Sequence, residues 1–236
     1  MTILSQKEAR PWFDRLVKLY AAHAKPENAE PMARYMKDRF RFFGIKSPER
    51  KALSRAFFRQ EGLPGPEVLG PLFQLCFDAP QRELQYFVQD AGRRMARHLD
   101  ATFLPVYDGL IGRKSWWDSV DFLAPKLAGP LLRRHPEAIP EYPDRWIEHP
   151  NFWYQRSAIL FQLDFKEDTD AERLFHYIRR RADSAEFFVQ KGAGWALRQY
   201  SKVAPEAVRH FIEGHRLATL TEREGMKWIR RQESKG

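Results

Sequence analysis

Lys114-Ser115-Trp116-Trp117-Asp118-Ser119-Val120-Asp121 sets two adjacent tryptophans and two carboxylates at the expected start of a helix. Ser115, followed three residues later by Asp118 and then an apolar run, predicts an N-cap with a capping-box-like partner. At about 3.6 residues per turn, Trp117, Val120, Asp121 and Ala124 share one face, so the helix would present an indole beside a carboxylate. Asp121 then has two readings. It is either a solvated surface acid, the usual fate of aspartate, or a carboxylate placed for a task.

Working outward, the chain reads as helix after helix. Upstream, apolar residues at Trp12, Phe13, Leu16, Val17, Leu19 and Tyr20 recur at helical spacing between Ser5 and His23. Lys25-Pro26-Glu27-Asn28 predicts a break, followed by a second helix over 29–40 that Gly44 ends. Ser47-Pro48-Glu49-Arg50 restarts a third, with Pro48 at its beginning. Further helices are expected over 67–77, from Pro80 onward with a basic run at Arg82, Arg93, Arg94 and Arg97, and over 101–111. Downstream of the double tryptophan, Pro136, Pro140, Pro143 and Pro150 predict short pieces in a packed connector. Helices then resume over 151–165, 169–182, 185–203, 205–214 and 219–231, with a frayed end at 233–236. No stretch alternates in the manner of a β-hairpin.

A weak internal repeat supports stacking. Phe87-Val88-Gln89, Trp153-Tyr154-Gln155 and Phe188-Val189-Gln190 each give an aromatic, one more residue and a Gln, with small residues soon after, at separations of 66 and 35 residues. The second separation is near the unit length of helical-hairpin repeats and the first is about twice it. Small residues after the Gln allow close helix approach, and stacked pairs would leave a concave face for basic side chains.

Composition narrows the partners. The 236 residues suffice for one continuous unit, 1–236. Forty Lys and Arg against 31 Asp and Glu give a formal charge of +9, and a pI near 9.7. That balance suits a polyanion, although it also serves plain solubility. The lone Cys76, in an apolar run, excludes an internal disulfide framework and a multi-Cys zinc site and is expected to be buried. No run reaches the roughly 18 apolar residues of a membrane span and no signal core precedes the first helix. A soluble, cytoplasmic protein with no membrane partner is expected. The seven His residues form no ligand-spaced cluster and no Walker-type loop appears, so no metal or other cofactor is expected.

Lys114-Ser115-Trp116-Trp117-Asp118-Ser119-Val120-Asp121 resembles the signature of the AlkD-type alkylpurine DNA glycosylases. Gly194-Trp195-Ala196-Leu197-Arg198-Gln199-Tyr200-Ser201 and Arg156-Ser157-Ala158-Ile159-Leu160-Phe161-Gln162 resemble further family segments. So do Tyr35-Met36-Lys37 and Gly44-Ile45-Lys46-Ser47-Pro48-Glu49-Arg50 near the N-terminus. The likeness runs from about residue 30 to 215 in the family's order. It implies an all-α fold, a curved solenoid of HEAT-like antiparallel helix pairs with a basic concave face. It also implies an enzyme that removes cationic alkylated purines from double-stranded DNA, the opening step of base excision repair, without flipping the base into a pocket; a monomer is the expected state for a clamp that must admit a duplex.

By the same resemblance Trp117, Asp121 and Trp195 line the damaged nucleotide, Arg156 contacts DNA nearby, and Tyr35 lies close to the cleft. Arg93, Arg94, Arg97, Lys114, Lys191, Arg198 and Lys202 are candidate phosphate contacts. The residues leave alternatives open. Trp195, beside Gly192 and Gly194, also suits core filling, and Arg156, amid Ile159, Leu160 and Phe161, also suits an ion-paired or snorkelling role. Trp116 reads as core. Two other functions are compatible with the sequence: a non-catalytic module that grips distorted DNA, and a helical-repeat protein adaptor with an apolar groove or one of mixed charge.

Overall fold

Among the described residues, proline opens six of the α-helices, and glycine caps the far end of two of these. The computed structural model describes residues 3–234, and every regular element among them is helical, as expected from the sequence. The only sheet-like feature among the described residues is an isolated parallel bridge between Arg41 and Gln81. The chain divides into two compact units, Met1–Val106 and Tyr107–Gly236.

The first unit contains α1 (Ile3–Ala22), α2 (Pro26–Tyr35), α3 (Ser47–Glu61), α4 (Pro66–Asp78) and α5 (Arg82–Met95). α1 packs on α3 and α4, and α4 on α5. Leu16, Tyr20, Leu72, Phe73, Phe77, Leu84 and Phe87 form the core, and Cys76 is buried among them as expected. The Phe87 ring is the hub: Phe58 stacks on it at 4.8 Å and Phe57 meets it edge-on at 5.3 Å. The expected second helix is displaced toward the N-terminus. Pro26 occupies its first turn instead of breaking the chain, because proline lacks only an N–H that would be unbonded there. It ends at Tyr35 because Lys37 and Asp38 turn into the left-handed region, at φ 58° and 56°.

After that turn the chain is fixed by one buried acid. Glu83 accepts hydrogen bonds from the backbone N–H groups of Phe43 at 3.0 Å, Gly44 at 2.9 Å and Ile45 at 3.2 Å. Gly44 is required here, since its φ is 89° and a Cβ would lie 2.0 Å from the Lys25 carbonyl oxygen. The guanidinium of the adjoining Arg82 lies 3.8 Å from the centroid of the Phe40 ring.

The second unit begins within α6 (Leu104–Ile111), continues through α7 (Trp117–Phe122) into a π-helical turn, Leu123–Ala128, and on to α8 (Gly129–Arg134). α9 (Pro143–Glu148), α10 (Phe152–Leu160), α11 (Ala171–Arg180), α12 (Phe187–Tyr200) and α13 (Pro205–Glu213) follow. The expected last helix is two, α14 (Thr219–Gly225) and α15 (Lys227–Glu233), interrupted at Met226. α10 packs against α7, α9 and α12, and α12 against α14. Two of the three repeated glutamines have matching duties. Gln155 donates to the carbonyl of His149 and Gln190 to that of Ser184, both at 2.8 Å and both six residues upstream, so each ties its helix to the loop that feeds it.

Replacing Glu83 tests the anchor in the first unit. Glu83→Ala should destabilise the protein by on the order of 3 kcal/mol or more, because each orphaned buried N–H costs about 1–3 kcal/mol. Glu83→Gln, which keeps one carbonyl oxygen for Gly44 and Ile45, should cost less. Urea denaturation of both variants checks the order, and equal losses would contradict it.

Candidate active site

The start of α7 departs from the sequence expectation. Ser115 is not its N-cap: the hydroxyl donates 2.6 Å back to the Ile111 carbonyl, closing the end of α6. Lys114 turns into the left-handed region at φ 47°, Trp116 is extended, and Trp117 is the first helical residue. Ser119 closes this end instead, its hydroxyl donating to the Trp116 carbonyl at 3.1 Å and receiving the Trp116 N–H at 3.4 Å. Asp118 thereby falls in the first turn, where the helix dipole favours negative charge. Val120 and Ala124 are buried, while Trp117 and Asp121, four residues apart, are both half-buried and sit where the core meets solvent.

Arg156, from the middle of α10, grips that carboxylate with both arms of its fork. Nε donates to Asp121 Oδ1 at 2.7 Å and Nη2 to Oδ2 at 2.8 Å, while Nη1 donates to the Phe188 carbonyl at the start of α12. α7, α10 and α12 therefore meet at one guanidinium. The Arg156 side chain is only 4% exposed, whereas that of Asp121 keeps 18%. In this arrangement Arg156 is not offered to a phosphate. It is the ion-paired arginine that the sequence left open, and its partner is the acid that reaches solvent.

Burial pushes the Asp121 carboxyl above the ordinary aspartate range, the Arg156 bonds and charge pull it back, and the nearby Asp118 raises it slightly. A bidentate arginine occupies one lone pair on each oxygen, leaving the other lone pair of each available to a ligand or water.

Two features hold the fork in place. A Cβ on Gly192 would lie 2.8 Å from Arg156 Nη1, so glycine is the residue that admits the guanidinium against α12. Beside it, Trp116, Phe152, Trp153 and Phe188 form an aromatic cluster, with Trp116 and Trp153 at 5.2 and 4.9 Å from the Phe188 ring. Trp116, expected in the core, is instead half-buried, one side of its ring packed on Trp153 and Phe188. Trp195 follows Gly192 by three residues and Phe188 by seven, on the same face of α12, and is half-buried.

Among the other predicted residues, Lys191 and Arg198 share α12 with Trp195, and Lys114 is exposed at the turn before α7. Tyr35, Arg93 and Arg94 belong to the first unit. Tyr35 is 70% exposed at the end of α2, and Arg93 and Arg94 are exposed in the last turn of α5, Arg94 lying 5.0 Å from the Phe58 ring centroid. Sequence reasoning passed over Glu224 on α14. It is 2% exposed and binds Lys191 at 2.7 Å, Arg198 at 3.0 Å and Lys227 at 2.5 Å. The signal that points to it is the residue after each repeated Gln, which is charged and paired every time: Asp90 with Arg50 at 3.1 Å, Arg156 with Asp121, Lys191 with Glu224. Among the described residues no group of three or more His, Cys, Asp or Glu has the arrangement of a metal site.

Removing the guanidinium would strand a desolvated carboxylate. Arg156→Ala should cost about 2–3 kcal/mol near neutral pH, at or below the usual range for a broken buried pair because Asp121 is partly solvated. With the cation gone, the folded-state pKa of Asp121 rises further above its unfolded value. The penalty is therefore largest at neutral pH and shrinks as pH falls through that pKa. Urea unfolding at pH 7 and at pH 5 reads this directly. Gly192→Ala should act in the same direction by about 1–2 kcal/mol through crowding alone.

The chain matches the family model described as DNA alkylation repair enzyme over residues 16–229. A solved structure described as a predicted DNA alkylation repair enzyme from Enterococcus faecalis superposes with a TM-score of 0.81 at 33% identity, covering 87% of this chain and 96% of that one. No curated protein matches. The match spans both compact units and includes the whole Asp121–Arg156 region, so the chain belongs to the DNA alkylation repair enzyme family.

Proposed function

We propose that the protein is a monofunctional DNA glycosylase that hydrolyses the N-glycosidic bond of cationic N3- or N7-alkylated purines in double-stranded DNA and leaves an abasic site. The observation that carries this reading is Asp121, a partly exposed carboxylate fixed by a bidentate arginine and sharing a helix face with Trp117.

Alkylation at N3 or N7 makes the purine a cation and hence a good leaving group, so no general acid is needed. Breaking the bond builds positive charge on the deoxyribose, and an anion beside the sugar stabilises that oxocarbenium-like state. Asp121 supplies the anion and, through its free lone pairs, orients or deprotonates the attacking water. Arg156 acts through Asp121, setting the plane of the carboxylate and favouring its charged form against burial. Trp117 and Trp195 offer indole faces to the cationic base and sugar, worth about 0.5–2 kcal/mol per contact. Lys114, Arg93, Arg94 and Tyr35 serve the backbone. Chemistry at a partly exposed carboxylate suits a lesion held against an open surface, without extrusion of the base into a pocket. The enzyme acts as a monomer and needs no cofactor in this reading.

A second reading, a relative that grips DNA without cutting it, draws on one observation. The charged residue after the repeated Gln is ion-paired in α5, α10 and α12, so the Asp121–Arg156 pair has structural counterparts.

Incubation with duplex DNA carrying 7-methylguanine separates the two. Wild-type protein should release the free base, and Asp121→Asn should lose at least about 100-fold of that rate while still binding the duplex, in keeping with the loss of one dominant electrostatic group. No release by the wild type would favour the second reading. Because the carboxylate is the working form and burial raises its pKa, release should fall as pH drops through an apparent pKa above the ordinary aspartate value of about 3.9. Asp121→Asn should lack that acidic limb.

A further inference from the structure

Glu224 lies almost wholly inside the fold, yet it binds three cations that do not. Lys191, Arg198 and Lys227 keep 40%, 32% and 48% of their side-chain surface exposed, and all three converge on a carboxylate that keeps 2%. Burial pushes the Glu224 carboxyl up, but the Lys191 and Lys227 contacts outweigh it and hold the group down to about 2. It stays charged at every pH at which the protein would work. One carboxylate balances one of the three positive charges, so the cluster carries a surplus of two.

The donor count is as lopsided. Two ammonium groups and a guanidinium bring far more N–H groups than the two oxygens of Glu224 can accept. The spare donors belong to side chains that reach solvent and are held close together by one carboxylate. Left unbound, such a surplus is costly, because like charges repel. An anion with several acceptor oxygens relieves it.

The site is built, not incidental. A Cβ on Gly194 would lie 2.5 Å from Glu224 Cβ and 3.0 Å from the Thr221 carbonyl oxygen, so glycine at that position lets α14 close on α12 and sets the carboxylate beneath Lys191 and Arg198. Thr221 Oγ1 donates 3.1 Å to the Gln190 carbonyl and ties the same two helices. On α12, Lys191, Trp195 and Arg198 stand at intervals of four and three residues and share one face. Gly192 and Gly194 thus admit two ion pairs of opposite sense on either side of Trp195. Gly192 admits Arg156, which presents an acid, and Gly194 admits Glu224, which presents cations.

We propose that Lys191, Arg198 and Lys227, held in register by the buried Glu224, form a seat for one backbone phosphodiester of DNA, placed so that the adjoining sugar lies toward Trp195. Glu224 is a positioning residue that never touches DNA. The proposal rests on the DNA-binding part of the function above and not on cleavage.

Equilibrium binding to a short undamaged duplex, followed by fluorescence anisotropy across a salt series, tests it without any base release. The double variant K191Q/K227Q should lower the slope of log affinity against log salt by about 0.9, the value of one phosphate contact. Arg179→Gln, an exposed charge on α11, should change it much less. Glu224→Gln discriminates more sharply. It adds one unit of positive charge, so simple attraction predicts tighter binding, whereas loss of the organising carboxylate predicts binding at least about threefold weaker. An unchanged slope in K191Q/K227Q, or tighter binding by Glu224→Gln with the fold retained by circular dichroism, would overturn the seat. If Glu224→Gln fails to fold, the K191Q/K227Q slope decides alone. Base release that survives an unchanged slope would sink the seat and spare the glycosylase, and a lowered slope without base release would do the reverse.

Discussion

The bidentate contact between Arg156 and Asp121 is the constraint from which the rest of the candidate site follows. A carboxylate with this much protein around it would ordinarily give up its charge. A guanidinium held by three helices pulls against that tendency and fixes the direction of the free lone pairs. Because the arginine is spent on this pair and on the Phe188 carbonyl, the exposed edge of the site carries negative charge, and the positive charge that would draw in DNA has to come from elsewhere.

Glycines in α12 make both halves possible. Close approach at Gly192 brings the guanidinium to its acid, and close approach at Gly194 brings Glu224 to its cations. Both exploit the absence of a side chain, in a helix where glycine itself costs about 1 kcal/mol relative to alanine. That cost is offset by packing, and the aromatic cluster of Trp116, Trp153 and Phe188 next to Arg156 supplies part of it. The helix that carries Trp195 is therefore tuned for the approach of charged groups more than for its own propensity.

Much of this was legible in the sequence. Helical periodicity gave the all-α class, and Pro48 and Pro205 stand at helix starts, where their backbone preferences suit them. The recurring aromatic–x–Gln pattern corresponds to a real duty, since Gln155 and Gln190 make the same bond to the preceding loop. Illegible were the choices between two good local partners. Ser115 was free to cap forward or close backward, and only the left-handed turn at Lys114 decides for the latter. Pro26 suits a break and a first turn equally well. The pairing of Arg156 with Asp121, 35 residues apart, and the cations on Glu224 depend on which helices are neighbours. No local pattern encodes that.

Whether Arg156 works through Asp121 or independently of it is the most direct question to put to the site, and a double-mutant cycle on the single-turnover rate of 7-methylguanine release answers it. If the arginine only holds the acid, Arg156→Lys should lower the rate in the wild-type background and have almost no further effect once Asp121 is Asn, since residues that act as a unit are not additive. Losses that multiply would mean that Arg156 meets DNA on its own account. An unimpaired Asp121→Asn would contradict the account altogether.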